Sequence, residues 1–314
     1  MAEAPDDTLI LHHYDLSPFS EKIRLILGLK GINWRSVEIP IVLPKPDYEA
    51  LTGGYRRTPS LQIGAEIFCD TLLIADEIER RWPKPTIYPD GRAGQHKALA
   101  FWAETNLFWP AARAAIGANI DADDLPTNFH ADRAAMVGRP PPAPEKLVAA
   151  GQRGLDQLKP QIDWVVRMLA GEDGFLLGAA PGLADFAVYH CLWFLDVLPN
   201  GLLSELAKEP GLHHWMARIA EIGHGPHSAM SAEAAIEAAA KAQLPDGPPD
   251  GPIEDSVFVA GQSVSVEPVD RASAPVTGGL SILTHSQVAV QRHDPRAGEV
   301  VVHFPRLGYR VVAA

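Results

Sequence analysis

The chain has 314 residues, 46% of them hydrophobic and 21% charged, and its net charge of −12 is spread along its length. That length predicts two or three domains with ample core, and an acidic chain without a basic stripe argues against nucleic-acid binding, because phosphate contacts need clustered Lys and Arg. Cys69 and Cys191 stand far apart with no CxxC, which fits a reducing compartment and argues against a disulfide scaffold or zinc cluster.

The N-terminus, MAEAPDDTLI, carries acids where a signal peptide needs basic residues and then an apolar run. No stretch approaches the roughly 20 apolar residues of a spanning helix. The expectation is a cytoplasmic protein without membrane contact. TLILHHY (8–14) is apolar and rich in β-formers, and predicts a first strand. In the following PFSEKIRLILGLKG, Ile23, Ile26, Leu27 and Lys30 fall at helical spacing and Gly31 ends the helix. WRSVEIPI alternates as a second strand, SLQIGAEIF predicts two short strands around a Gly64-Ala65 turn, and DTLLIADEIERRW predicts a second helix. The order is β-α-β-(loop or short helix)-β-β-α. From Lys97 to Gln243 the pattern is helical, with one long helix over 94–120 and others over 144–170, 183–198 and 211–222. QLPDGPPDGPIED is a linker by composition. Beyond it, Val-rich alternating runs with Gly, Pro and Asp turns predict a small all-β module, expected to pack on the helical block because about 60 residues are near the lower limit for a separate core. The predicted units are 1–88, 92–242, a linker over 243–252, and 253–314.

Several short segments carry chemistry. Ser17 before Pro18 suits a helix N-cap with proline at N1. In RRTPSLQIG, Pro59 takes the first strand position, where proline is tolerated. In FCDTLLIADEIE, Asp70 and Thr71 open a helix whose free N–H groups attract a carboxylate, while the acid can hold an ammonium or simply cap. In LLGAAPGLADFAVYH, Gly182 and Asp185 stand as N-cap and N3 of a capping box, with Gly182 the weaker kind of cap; Leu183, Phe186, Leu192 and Phe194 supply packing. Trp102, Asn106, Trp109 and Arg113 recur at i, i+4, i+7 and i+11, an aromatic face suited to a flat apolar electrophile or to a core or dimer contact. The histidines form no metal motif, since HHW (213–215) and GHGPH (223–227) lack a third ligand at suitable spacing. In the tail His303, Arg306, Tyr309 and Arg310 could meet an anion or lie in surface turns.

Over residues 8 to about 225 these motifs resemble the cytosolic glutathione transferase superfamily. The resemblance implies an α/β thioredoxin-like N-terminal domain that binds glutathione, an all-helical domain, and here an added small all-β C-terminal module. Thr58-Pro59 is similar to the family's Val-Pro, whose proline is cis and whose preceding backbone binds the cysteinyl part of glutathione, with Arg57 alongside. Asp70-Thr71-Leu72-Leu73-Ile74 looks like the Glu-Ser-x-x-Ile segment that binds the γ-glutamyl end, with Asp one methylene shorter. SPFSEKIR resembles the helix start of the serine-type classes such as tau, in which the serine, here Ser17, donates a hydrogen bond to the glutathione sulfur. Tyr14 is the second choice and Ser20 the third, and in an ungapped comparison His13 takes the place of the tyrosine-type phenol. The lack of a nearby Cys argues against omega- and beta-type chemistry. The implied activity is conjugation, dehalogenation or isomerisation of a small hydrophobic electrophile, as in detoxification, with glutathione as co-substrate, no metal, and a homodimer. The alternative is a non-catalytic scaffold or glutathione sensor whose C-terminal β module binds a partner.

Overall fold

The computed structural model describes residues 8–122, 125–169, 174–206, 208–242, 244, 252–254, 257–270 and 273–314. The predicted linker over 243–252 therefore lies outside the described residues, apart from 244 and 252. The first unit is β1 (Leu9–His13), α1 (Pro18–Lys30), β2 (Trp34–Glu38), α2 (Pro46–Thr52), β3 (Ser60–Ile63), β4 (Glu66–Cys69) and α3 (Thr71–Arg81). β1 runs parallel to β2 and antiparallel to β3, and β3 and β4 form the expected hairpin about Gly64. The segment left open as loop or short helix is α2, opened by Pro46 at its first turn.

The helical unit holds α4 (Ala93–Trp102), a π turn over Ala103–Leu107, α5 (Phe108–Ala118), α6 (Phe129–Met136), α7 (Pro144–Met168), α8 (Leu183–Trp193), α9 (Leu203–Leu206) and α10 (Pro210–Ile222). No described helix is long and apolar enough to cross a membrane. α8 is its buried axis, and the Asp185 half of the capping box forms: Gly182 N–H donates to Asp185 Oδ2 at 3.0 Å, while Asp185 Oδ1 accepts from Leu176 N–H and Trp215 Nε1. Glycine is needed at this cap. A Cβ on Gly182 would stand 2.3 Å from His96 Cε1. The ring that excludes a serine also supplies what serine would have given, since His96 Nδ1 accepts from Ala184 N–H at 3.2 Å.

After α10 the chain returns to the first sheet. β5 (His227–Ala229) lies parallel to β2, and α11 (Ala232–Lys241) packs on α2 and β2, with Ala235, Ile236 and Ala239 buried. Residues 227–242 thus belong spatially with the N-terminal sheet. The tail strands are β6 (Ser263–Pro268), β7 (Val276–Leu283), β8 (Gln287–Asp294), β9 (Gly298–Pro305) and β10 (Tyr309–Ala313).

Of the predicted helical unit over 92–242, the tail strands meet chiefly α11; among the described residues their main packing is on the first unit, where an expectation from size alone placed it on the helical block. The tail extends the first sheet into ten strands in the order β10-β6-β7-β8-β9-β4-β3-β1-β2-β5, with Ile67 opposite Val302 and Phe68 opposite His303 across β4–β9. The reason is the open edge of β4, whose backbone groups and apolar side chains need a partner. A core too small to stand alone is completed by sharing. Tyr55, Ile67 and Cys69 of the first unit and Ile236 of α11 join Val264, Val290, Val302, Phe304 and Tyr309 in one cluster.

Candidate functional site

Strand register gathers the predicted residues at one end of the sheet. His12 faces Ser60 across β1–β3, and Ser60 faces Cys69 across β3–β4. Just beyond that line come Tyr14 to Ser17, Thr58-Pro59, and Asp70-Thr71.

Ser17 caps α1 with extended backbone, and its Oγ accepts from Ser20 N–H at 3.2 Å. It is 2% exposed. No described residue accepts its hydroxyl proton, so the O–H remains available as a donor. Tyr14 is half-buried, and its Oη accepts from Arg133 Nη2 at 3.2 Å. Ser20 is wholly buried, with no partner for Oγ among the described residues. His13 has a structural position: Nδ1 faces Arg24 Nη1 at 3.1 Å and Nε2 faces Ser36 Oγ at 2.8 Å. Burial and the Arg24 charge push its pKa down to about 3, so the ring is neutral at physiological pH.

Arg24 is a structural support beside the candidate site that the motifs do not signal. It is buried, donates from Nη2 to Asp15 O at 2.9 Å and from Nη1 to Tyr14 O at 3.4 Å, and pairs with Glu21. It ties the β1–α1 turn to the helix that carries Ser17.

One flank of the site is cationic. Lys45 Nζ donates to Arg56 O and to Thr58 Oγ1, each at 3.4 Å, and stands 5.7 Å from the Tyr14 ring centre. Burial, then Arg133 and Arg56, lower the Lys45 pKa to about 7. Helix α6 reaches this flank from the helical unit. Asp132 Oδ1 accepts from Leu43 N–H at 3.1 Å and from Arg56 Nη2 at 2.5 Å, and Arg133 Nη2 also donates to Ile41 O at 3.0 Å. Arg56 Nε is buried without a partner among the described residues. Three cations against one carboxylate suit an anionic ligand group. The sequence signals neither Lys45 nor Arg133, since both lie outside any periodic or motif-bearing stretch.

Thr58-Pro59 is cis. The N–H and C=O of Thr58 pair with no described residue.

The opposite flank is acidic. Asp70 caps α3, with Oδ1 accepting from Leu72 N–H at 3.0 Å, and Thr71 beside it is buried. The Asp70 φ of +74° is uncommon outside glycine and is strain of the kind found at functional sites. Its Oδ2 accepts from Tyr309 Oη at 3.3 Å, and Arg57 is paired with Asp270 beyond β6. Burial, with the Glu104 charge nearby, raises the Asp70 pKa. Glu104 lies on the π turn and pairs with Lys22 of α1 across the two units. Burial opposes its ionisation, but Lys22 and His190 hold its pKa down to about 2.

The predicted aromatic stripe is divided. Trp102 contacts Trp164 of α7 at 6.1 Å between ring centres, and Asn106 O accepts from Gln161 Nε2 of α7. The Cβ of Arg113 lies against Gly154 of α7. Trp109 instead packs on Phe108, which meets Phe19 of α1 edge-on at 4.7 Å. The π turn between them advances the helix by fewer degrees per residue, so α-helical spacing does not carry across it. A separate hollow of about 400 Å³, lined by Trp34, Arg35 and His227 among others, lies at the N-terminal ends of β1 and β2, away from Ser17. Among the described residues no group of three or more His, Cys, Asp or Glu is placed to hold a metal ion.

Comparison with known proteins bears on the family and the fold. Residues 11–86 match the glutathione S-transferase N-terminal domain family, and residues 148–218 match its C-terminal domain family. A solved GST-like protein from Pseudomonas syringae is 38% identical, with 98% of this chain and 100% of that one aligned and a TM-score of 0.72. A match of that extent takes in the C-terminal strands. Glutathione S-transferase U14 of Arabidopsis thaliana is 25% identical over 225 residues, 69% of this chain and 82% of that protein. Glutathione S-transferase U4 of the same plant is 28% identical over 104 residues, 33% of this chain and under half (46%) of that protein. The chain belongs to the cytosolic glutathione transferase superfamily, with further strands built onto the β4 edge of its first sheet.

Proposed function

We propose that the protein binds glutathione along this sheet end and activates its thiol, through Ser17, for attack on a small electrophile. One juxtaposition carries the reading: an uncommitted donor hydroxyl at Ser17, an unpaired peptide at Thr58 and an acidic cap at Asp70 share one edge, in an order that suits one tripeptide. Thr58 pairs the cysteinyl backbone in strand fashion. Asp70 receives the γ-glutamyl ammonium, and the α3 N–H groups beside Thr71 receive its carboxylate. Lys45 and Arg56 suit the glycyl carboxylate, and Arg57 lies next to the Thr58 peptide.

A free thiol has pKa near 8.5 and is mostly protonated at neutral pH. A hydrogen bond from Ser17 and the positive end of α1 favour the thiolate. The sulfur lone pair forms the S–C bond, and a displaced halide leaves with the electron pair of the bond that breaks. Phe19, Phe108 and Trp109 suit the apolar electrophile, whereas Trp102, Asn106 and Arg113 face α7 and are not assigned to it. A homodimer and a detoxifying role in the cytoplasm accompany this reading.

Ser17→Ala is expected to lower kcat with glutathione and an aryl halide about 100-fold. Calorimetric affinity for S-methylglutathione should change by less than about threefold, since that thioether needs no thiolate donor. Unchanged turnover together with an inactive Tyr14→Phe would overturn the Ser17 assignment. Wild-type protein that fails to bind S-methylglutathione at millimolar concentration would reject the transferase reading in favour of a scaffold.

A further inference from the structure

We propose that Tyr309, on the last strand of the C-terminal module, is a positioning residue of the glutathione site: its hydroxyl orients the Asp70 carboxylate toward the γ-glutamyl ammonium. The inference rests on the reading of Asp70 given above and adds a residue from outside the transferase-like region.

Asp70 has two oxygens to allot. Oδ1 is committed to the cap through Leu72 N–H. Oδ2 is left for a ligand cation, and the only described group donating to it is Tyr309 Oη at 3.3 Å. The terminal torsion of an aspartate is soft and roughly two-fold. A donor on Oδ2 therefore fixes the orientation that the cap alone leaves free. Tyr309 Oη also donates toward Tyr55 Oη at 3.3 Å. Its one proton has two acceptors in reach, and the carboxylate is the stronger.

Tyr309 is itself held firmly. Its ring is buried against Phe304 and Tyr55, with centres 5.3 and 6.5 Å away. The turn Arg306 to Gly308 delivers it from the end of β9, next to the end of β4 where Asp70 begins. The module grips α2 and the loop after it at three further points. Asp270 pairs with Arg57, Ser273 Oγ accepts from Arg56 N–H at 3.0 Å, and Arg292 Nη1 donates to Ala50 O at 2.7 Å. The hydroxyl thus reaches the site on a rigid support, which is what a residue acting through another requires. The module is in this reading a wall of the γ-glutamyl end, supplied by the same chain.

The test uses two probes: S-methylglutathione, and its analogue with glutaryl in place of γ-glutamyl, which lacks only the ammonium. Tyr309→Phe keeps the ring and its packing. It is expected to weaken S-methylglutathione about five- to tenfold while the glutaryl analogue changes by less than about twofold. Tyr55→Phe removes the competing acceptor and leaves the Tyr309–Asp70 bond in place; it should tighten S-methylglutathione about twofold with the glutaryl analogue unchanged, and it reads the proposal independently should Tyr309→Phe not fold. Equal changes for both probes, or no change in either variant, would overturn the proposal and leave the transferase reading standing. A wild-type protein that binds neither probe overturns that reading, and this inference with it.

Discussion

The two flanks of the candidate site are opposite in charge and alike in construction. The flank proposed for the glycyl end is cationic, with Lys45, Arg56 and Arg133 around the Asp132 carboxylate. The flank proposed for the γ-glutamyl end is acidic, with Asp70 close to Glu104. In both, the residues that would touch the ligand come mainly from the β1–α3 unit, and the groups that hold them come from elsewhere in the chain. Helix α6 braces the first flank through Asp132 and Arg133. The C-terminal strands brace the second through Asp270 and Tyr309. A site on short loops needs such supports, because misplacing a binding group by about 1 Å can cost 100-fold in rate.

The contrast can be broken most severely at the sheet junction. Val302 is fully buried opposite Ile67. Val302→Asp is expected to cost about 4 kcal/mol or more, as an unpaired charge placed in a core. Chemical denaturation should still show one transition, because the tail and the first unit share one apolar cluster. Two separate transitions would mean that the module is an independent appendage and not a wall.

A second variant separates the flanks. Asp132→Ala removes the acceptor shared by Leu43, Arg56 and Arg133. S-methylglutathione and its glutaryl analogue should both weaken about tenfold by calorimetry, in contrast to the selective loss in Tyr309→Phe. In the double variant the two costs should add within about 0.5 kcal/mol. A larger coupling would show that the flanks are one device.

The smallest expected effect is in pH. The Lys45 pKa is lowered to about 7. Its ammonium is present below that value and lost as pH rises through it. Affinity for S-methylglutathione should therefore fall about three- to fivefold between about pH 6 and pH 8.5, with bound carboxylate partly opposing the loss. Lys45→Arg should flatten this profile, while Tyr309→Phe should leave its shape unchanged.

Much of the first unit was legible because its signals are local. Ser17-Pro18 reads as a helix start from adjacent residues, the Gly64 hairpin from its turn, and Asp70-Thr71 from the apolar helix behind it. Local reading failed where an interaction spans the chain. Gly182 looked like a weak cap, and only the fold brings His96 beside it to bond Ala184. The aromatic stripe read as one face because α-helical spacing was assumed, and the π turn at Ala103–Leu107 ends that periodicity. Arg24, Lys45 and Arg133 carry no periodic signal, since a lone cation in a loop or on a helix flank looks the same whether solvated or structural.

The sequence by itself determined the elements of the first unit and their order, the main helices of the second, the resemblance to the family, and Ser17, Thr58 and Asp70 as candidates; it did not signal α6, α9, β5 or α11. Tertiary structure alone decided what surrounds those candidates. The tail strands were readable as strands, but alternation specifies only that one face of a strand is to be buried, not which edge it will join. That choice came from the open edge of β4 and from the apolar surface of Tyr55, Ile67 and Cys69, which lacked a cover until β9 and β10 supplied one. The same docking brought Tyr309 to Asp70 and Asp270 to Arg57. Contacts of that kind are set by the packing of distant segments, and no local pattern encodes them.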